Sequence, residues 1–248
     1  MIREERHRLI IREVNLHNKV LSNDLSILLN VSEDTVRRDL KELVDGGFIL
    51  KVHGGAISKS LVSPFTNPTG VYALELKQSI ASKAAKLIKN NMIVITEGGT
   101  TIIEFAKSIP SNISATFFTI SPQVAITLAA HSNLEVITIG GRLNKDSNLH
   151  TGSAVINQLS EIKADLSIIG ANGFSIEDGL TDIDWEIAQL KKAIIKSSTK
   201  TAVLCISEKL NSTRRLKICG ANEIDYLITE LDQKNPALSP YQNKIEVL

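Results

Sequence analysis

From Leu74 onward, short and continuous β-branched runs alternate with helix-patterned segments. The runs are "MIVIT", "ATFFTI", "LEVITIG", "DLSIIGA", "TAVLCIS" and "DYLITE"; the helical patterns include "LKQSIASKAAKLIKN", "PQVAITLAAH" and "DWEIAQLKKAIIKSS". A strand with one wet face alternates apolar and polar residues. These runs do not, so both faces of each strand must be covered. Helices between such strands provide the crossovers that parallel pairing requires. The pattern predicts a larger, mostly parallel α/β domain over residues 74–248.

Residues 1–57 follow a different rule. Leu9, Ile10 and Val14 have helical spacing, and Ser22 is placed to cap a second short helix carrying Leu25, Leu28 and Leu29. Asn30-Val31 makes a tight connection, after which Ser32 caps a third helix with Glu33 and Asp34 in its first turn. Val36, Leu40 and Leu43 form that helix's buried stripe, and Gly46-Gly47 ends it. "FILKVHGGAI" reads as a hairpin turning near Gly54-Gly55. Three helices and a hairpin make a winged helix-turn-helix pattern. The segment "SKSLVSPFTNPTG" has the composition of a linker, which is placed at residues 58–73.

The 248 residues carry 28 Lys and Arg against 27 Asp and Glu, so any anionic partner must be met by a local patch. "MIREERHRLI" is charged where an export signal would be apolar, and no run is long enough to span a membrane. Cys205 and Cys219 are fourteen apart with no paired histidine, which suits a reduced, cytoplasmic chain. The pattern calls for no metal and no cofactor. His7, His17, His131 and His150 are isolated and read as surface or cap residues, and Trp185 as a packing residue.

On a helical wheel Arg37, Arg38 and Lys41 share an arc away from the apolar stripe, with Asp39 and Glu42 beyond it. In a helix-turn-helix the second helix can lie in the DNA major groove. Ser32, Glu33 and Thr35 offer short polar groups at its start, and an arginine can pair with guanine or phosphate. Lys51 and His53 would reach the flanking backbone from the wing. The alternative is a small helical domain that binds protein. "VSEDTVRRDLKEL" followed by "KVHGGA" resembles the recognition region of bacterial DeoR-type transcriptional regulators. That resemblance implies operator DNA as partner, most often in repression, and a homo-oligomer, dimer or tetramer. It also implies a C-terminal sensor for a phosphorylated sugar, with a fold similar to ribose-5-phosphate isomerase.

In the α/β region "VITEGGTTIIEFA" runs from a strand through Glu97, Gly98 and Gly99 into a helix opened by Thr100 and Thr101. Free N–H groups and the helix dipole there suit an anion, although any α/β protein has glycine-rich turns of this kind. Resemblance to the family's D-x-G-[ST]-T loop implies phosphate or sugar contact. Further strand-end candidates are Thr119, Ser121, Gly140, Gly141, Arg142, Gly152, Asn172, Lys191 and Lys209. The family pattern is broken at Glu97 (usually Asp), Ile120 (Asn), Asn172 (Asp) and Gln189 (Glu), and D-S-S-K becomes Ile206-Ser207-Glu208-Lys209. These changes imply an altered or weakened effector. Two other readings stay open: an isomerase-like enzyme with Glu97, Asp182 or Asp184 as base, and a regulator that answers only to a protein partner.

Overall fold

The computed structural model describes residues 1–59 and 71–248. They form two compact units, Met1–Tyr72 and Ala73–Leu248. Most of the segment expected to be linker, residues 60–70, lies outside the described residues.

In the first unit α1 (Arg3–His17), α2 (Ser22–Leu29) and α3 (Glu33–Asp45) are joined by β1 (Lys19–Leu21), β2 (Leu50–Val52) and β3 (Gly55–Ile57). Ile10, Val14, Leu25, Leu29, Val36, Leu40, Leu43 and Ile49 form its core, so the helical stripes pack against one another. Two local expectations are corrected. Ser22 is the first residue of α2 rather than its cap; Leu21 holds the cap position, and the Ser22 N–H goes to Gly54 O at 2.8 Å. The wing has a third strand, β1, paired antiparallel with β3, which is too short to show a period in sequence. Asp39, beyond the arginine arc of α3, is 3% exposed.

The second unit is built on a seven-stranded, all-parallel sheet with order β15-β14-β12-β9-β4-β5-β6. These strands are β4 (Ile93–Thr96), β5 (Ala115–Thr119), β6 (Leu134–Thr138), β9 (Ala164–Gly170), β12 (Ser198–Leu204), β14 (Tyr226–Ile228) and β15 (Glu246–Val247). Helix α4 (Leu74–Ala85) leads into β4, and the crossover elements include α5 (Thr100–Ser108), α6 (Pro122–Ala129), α7 (Ser153–Ser160) and α8 (Trp185–Lys196). Val94, Ile95, Phe117, Ile168, Ile169, Val203 and Leu227 are buried, as strands covered on both faces require. The edge strand β6 departs from that expectation, with Ile137 38% exposed.

Two small antiparallel features were not foreseen: the hairpin β7 (Arg142–Asn144) with β8 (Leu149–Thr151), and a sheet of β10 (Gly173–Ser175), β11 (Gly179–Asp182) and β13 (Leu216–Cys219). Their three- and four-residue strands are set by tertiary pairing. Trp185 is 65% exposed and so does not pack as expected. The histidines are also more engaged than expected. His7 bonds Asp39, His17 is buried near Glu13, His131 meets Ala106 O at 2.8 Å, and His150 meets Ile139 O at 2.8 Å.

The strand order has a consequence for ligand binding. Starting at β4 the chain builds outward through β5 to β6, then returns to add β9 on the other side of β4. The strand order reverses between β4 and β9, and the carboxyl ends at such a switch point are where ligands of open α/β sheets bind.

Candidate functional site

In the first unit, Ser32 Oγ caps α3 by accepting the Thr35 N–H at 3.3 Å, and it lies 3.0 Å from Thr35 Oγ1. The adjacent arginines differ. Arg37 donates to Glu33 at 3.1 Å and to Asp34 at 3.1 Å, so its charge is largely answered within the helix. Arg38, Lys41, Lys51 and His53 are exposed, and none has a hydrogen bond or ion pair from its side chain to another described residue. Behind that face Asp39 accepts from Arg6 at 2.8 and 3.0 Å and lies 3.2 Å from His7 Nε2. This buried contact ties α1 to α3. Sequence reasoning missed it, although Asp39 directly precedes Leu40 of the apolar stripe.

In the second unit the crevice between β4 and β9 holds a buried charged network. Glu97 Oε1, just past β4, accepts the Gly170 N–H at 2.9 Å from the end of β9. Lys191 of α8 donates to Gly170 O at 2.9 Å and to Asp182 at 3.0 Å, and stands 3.6 Å from Glu97 Oε2. Asn172 donates to the other Asp182 oxygen at 3.0 Å, and Lys209 donates to Ala171 O at 2.8 Å. Glu97, Asp182, Lys191 and Lys209 are all more than nine-tenths buried.

Burial pushes the Glu97 carboxyl pKa up; Lys191 and the Gly170 N–H only partly counter it. Burial also opposes ionisation of Asp182, but Lys191, Asn172 and the Ile183 N–H together hold its pKa below the usual value. Lys191 has its pKa raised despite burial, because Glu97 and Asp182 flank it. Of the two acids, Glu97 is the one that keeps its proton more readily. Lys209 has no carboxylate partner among the described residues, and burial brings its pKa down to about 8. Asp184 is engaged as the cap of α8, accepting from the Glu186 and Ile187 N–H groups at 3.0 and 3.3 Å.

The neighbouring loops close on the same region. A side chain on Gly98 would collide with Leu149 at 2.6 Å and Ser121 at 2.9 Å, so the loops after β4 and β5 are in contact. Thr119 Oγ1 donates to Glu97 O at 3.4 Å and accepts the Ser121 N–H at 3.2 Å, while Ser121 Oγ caps α6. Gly99 and Gly152 precede α5 and α7 with φ of 102° and 108°, values that disfavour other residues, and neither has a neighbour where a Cβ would stand. No side chain caps the start of α5, and the space where a Cβ on Gly99 would stand is open.

Sequence candidates are thus sorted by geometry. Glu97, Gly98, Thr119, Ser121, Asn172, Lys191 and Lys209 are linked through contacts. Gly140, Gly141 and Arg142 are exposed. Arg142 forms an ion pair with Glu186, and Gly141 is required by Val155 and Thr151 O, which a Cβ would meet at 2.4 and 2.9 Å. Lys191 donates to two acceptors and is paired with two carboxylates, and so is not a free point charge for a phosphate. The changed positions Ile120 and Ile206 are 0% and 3% exposed and are buried among apolar neighbours.

Asp182, which the sequence offered only as a possible base, anchors the network. Sequence reasoning passed over Lys77 of α4, which is 4% exposed. A signal for Lys77 did exist. It shares the stripe of Ile80, Ala81 and Ala84, a place where a cation is out of pattern.

Residues 6–61 match the family model of the DeoR-like helix-turn-helix domain, and residues 73–231 match that of the DeoR C terminal sensor domain. The chain is 35% identical to the HTH-type transcriptional regulator GolR of Listeria innocua, over 91% of this chain and 90% of the relative. It is 33% identical to the HTH-type transcriptional repressor GlcR of Bacillus subtilis, over 93% and 89% of the two chains. Among solved structures, ribose 5-phosphate isomerase A of Methanocaldococcus jannaschii overlays at a TM-score of 0.41 with 18% identity, covering 55% of this chain and 54% of that one. With both of its units matched in order, the chain belongs to the DeoR family of helix-turn-helix transcriptional regulators.

Proposed function

We propose that this regulator represses an operon of sugar metabolism and is released from its operator when a phosphorylated sugar or similar anion enters the strand-end crevice. The DNA reading rests on α3, whose exposed Arg38 and Lys41 have no partner among the described residues. The effector reading is carried by Lys209, a buried ammonium with no carboxylate partner among the described residues, held at the end of β9 beside the strand-end loops. An anion would supply the missing charge there and accept from the N–H groups of α5. Binding without turnover suits the site, because Asp182 and Asp184 are already engaged and Glu97 Oε1 accepts the Gly170 N–H. A homo-oligomer, dimer or tetramer, would set two α3 helices about one turn of DNA apart.

The test is a thermal-shift screen of the full chain against sugar phosphates, followed by release of the protein from operator DNA. A ligand at a hundred times its dissociation constant stabilises by about 2.7 kcal/mol. One that both stabilises the chain and releases DNA supports the proposal. A folded chain that responds to no anion would point to control by a protein partner. Turnover of ribose 5-phosphate that is lost in Glu97→Gln would instead make it an enzyme.

A further inference from the structure

We infer that the cavity between the ends of α7 and α8 is a second small-molecule site, one that takes a nucleoside di- or triphosphate. It lies within the second unit, at the amino ends of β9 and β12, and does not depend on the effector reading of the crevice at their carboxyl ends. Ser197, at the end of α8, accepts through its carbonyl the N–H of Ala164, the first residue of β9, at 2.8 Å. Ser197 Oγ donates to Leu159 O of α7 at 2.6 Å, so the two helix ends are fixed to one another. Beside them opens a cavity of about 410 Å³, with Ile156 and Ile162 as apolar walls and Lys163, Lys192, Lys196 and Gln189 around it. That volume is in the range that holds one small ligand.

Charge and spacing select the ligand. No acid is among the residues that line the cavity, and none of its three lysines has an ion pair or side-chain hydrogen bond to another described residue. Glu161, the acid nearest in sequence, is exposed and forms no ion pair among the described residues either. In a chain of almost balanced charge, three unpaired cations around one cavity make a local positive field. Helix ends favour nearby cations, which covers Lys163 and Lys196. Lys192 is half-buried and precedes the last turn of α8, so that account does not reach it. Gln189, Lys192 and Lys196 recur at i, i+3 and i+7 along one face of α8 and span about 10 Å. At one end of this stripe the Gln189 amide, without a partner among the described residues, offers a donor beside an acceptor, the pairing that a purine edge takes. At the other end the lysines meet phosphate oxygens. The two isoleucines cover the flat base, which a bare polyphosphate would leave unused.

The experiment uses the full chain, with titration calorimetry against ADP, ATP, tripolyphosphate and adenosine. Wild type, Lys192→Gln, Gln189→Glu and the exposed control Lys86→Gln are compared, each with a thermal melt without ligand to show that it is folded. ADP or ATP should bind wild type more tightly than either tripolyphosphate or adenosine. Lys192→Gln should weaken nucleotide binding about tenfold, through loss of a charged hydrogen bond. Gln189→Glu, which sets a carboxylate among the lysines and removes the amide donor, should weaken it at least as much, and Lys86→Gln should be neutral. Nucleotide affinity unchanged in both Lys192→Gln and Gln189→Glu overturns the inference. Tripolyphosphate binding as tightly as ATP overturns it too, because the walls would then add nothing. So does a wild-type chain that binds no nucleotide. If in that case Lys192→Gln shifts sedimentation to a smaller species, the cavity is a contact between copies of the chain instead.

Discussion

Arg37 and Arg38 are adjacent, yet they occupy different electrostatic environments. Arg37 has two carboxylates within 3.1 Å on its own helix, whereas Arg38 has no partner among the described residues. On binding DNA, Arg37 must exchange existing contacts for new ones, while Arg38 only gains. Arg38→Ala is therefore expected to weaken operator binding by about 1–3 kcal/mol if it reads a base, or to reduce the salt slope by about one if it meets a phosphate. Arg37→Ala should cost less. Fluorescence anisotropy on an operator duplex at several salt concentrations measures both. An equal loss for the two variants would mean that the Glu33 and Asp34 contacts do not persist in the complex. Asp39 illustrates the opposite outcome for a charge on the same helix. Its two oxygens are taken by Arg6 and His7, so Asp39→Ala should lower the melting temperature of the first unit clearly more than substitution of the half-exposed Glu42.

At the scale of elements, the crevice depends on how closely the loop after β4 approaches the loop after β5. Gly98 permits this approach because it lacks a side chain. Gly98→Ala would set a methyl group 2.6 Å from Leu149 and 2.9 Å from Ser121, and is expected to cost about 1–3 kcal/mol through strain in a packed region. A urea titration gives the value, and a neutral substitution would mean that the loops separate easily. Gly99 next to it has open space but a φ of 102°, so alanine there is strained by backbone conformation alone. These two glycines look alike in "EGGTT". Their different roles depend on a contact with another loop that the sequence does not display.

For the molecule as a whole, the buried lysines tie stability to pH. Folding lowers the pKa of Lys209 from 10.5 to about 8. From about pH 8 up to 10.5 the unfolded chain therefore binds the additional proton, and this residue's contribution makes stability rise with pH. Below that range the folded protein bears the full cost of the buried ammonium. Lys209→Met removes the effect, so its stability advantage over wild type should be greatest near pH 7 and shrink above pH 8, by at most about 1.4 kcal/mol per pH unit. Taking the difference between the two proteins cancels the contributions of Glu97 and Cys219, whose pKa values are also shifted for reasons that do not involve Lys209. Urea melts at four pH values test this, and an advantage independent of pH would show that Lys209 stays charged throughout.

What could be read in the sequence was whatever local chemistry enforces. Continuous β-branched runs compel a sheet covered on both faces, the Val36, Leu40 and Leu43 stripe compels an amphipathic α3, and Gly46-Gly47 stops it. The strand-end loops followed from the same alternation, since a parallel sheet gathers its loops at one end. Only tertiary structure decided what happens to charge. Whether Asp39 faces water or Arg6, whether Arg142 enters the crevice or pairs with Glu186, and whether Lys191 is free or held by two acids are set by groups 9 to 94 residues away. Lys77 shows the reason most plainly. Burial and a second ammonium shift its pKa to about 7, and neither neighbour is near it in the chain. Apolar burial is non-directional and leaves a periodic trace along the sequence, whereas a buried charge is defined by partners that only the folded chain brings together.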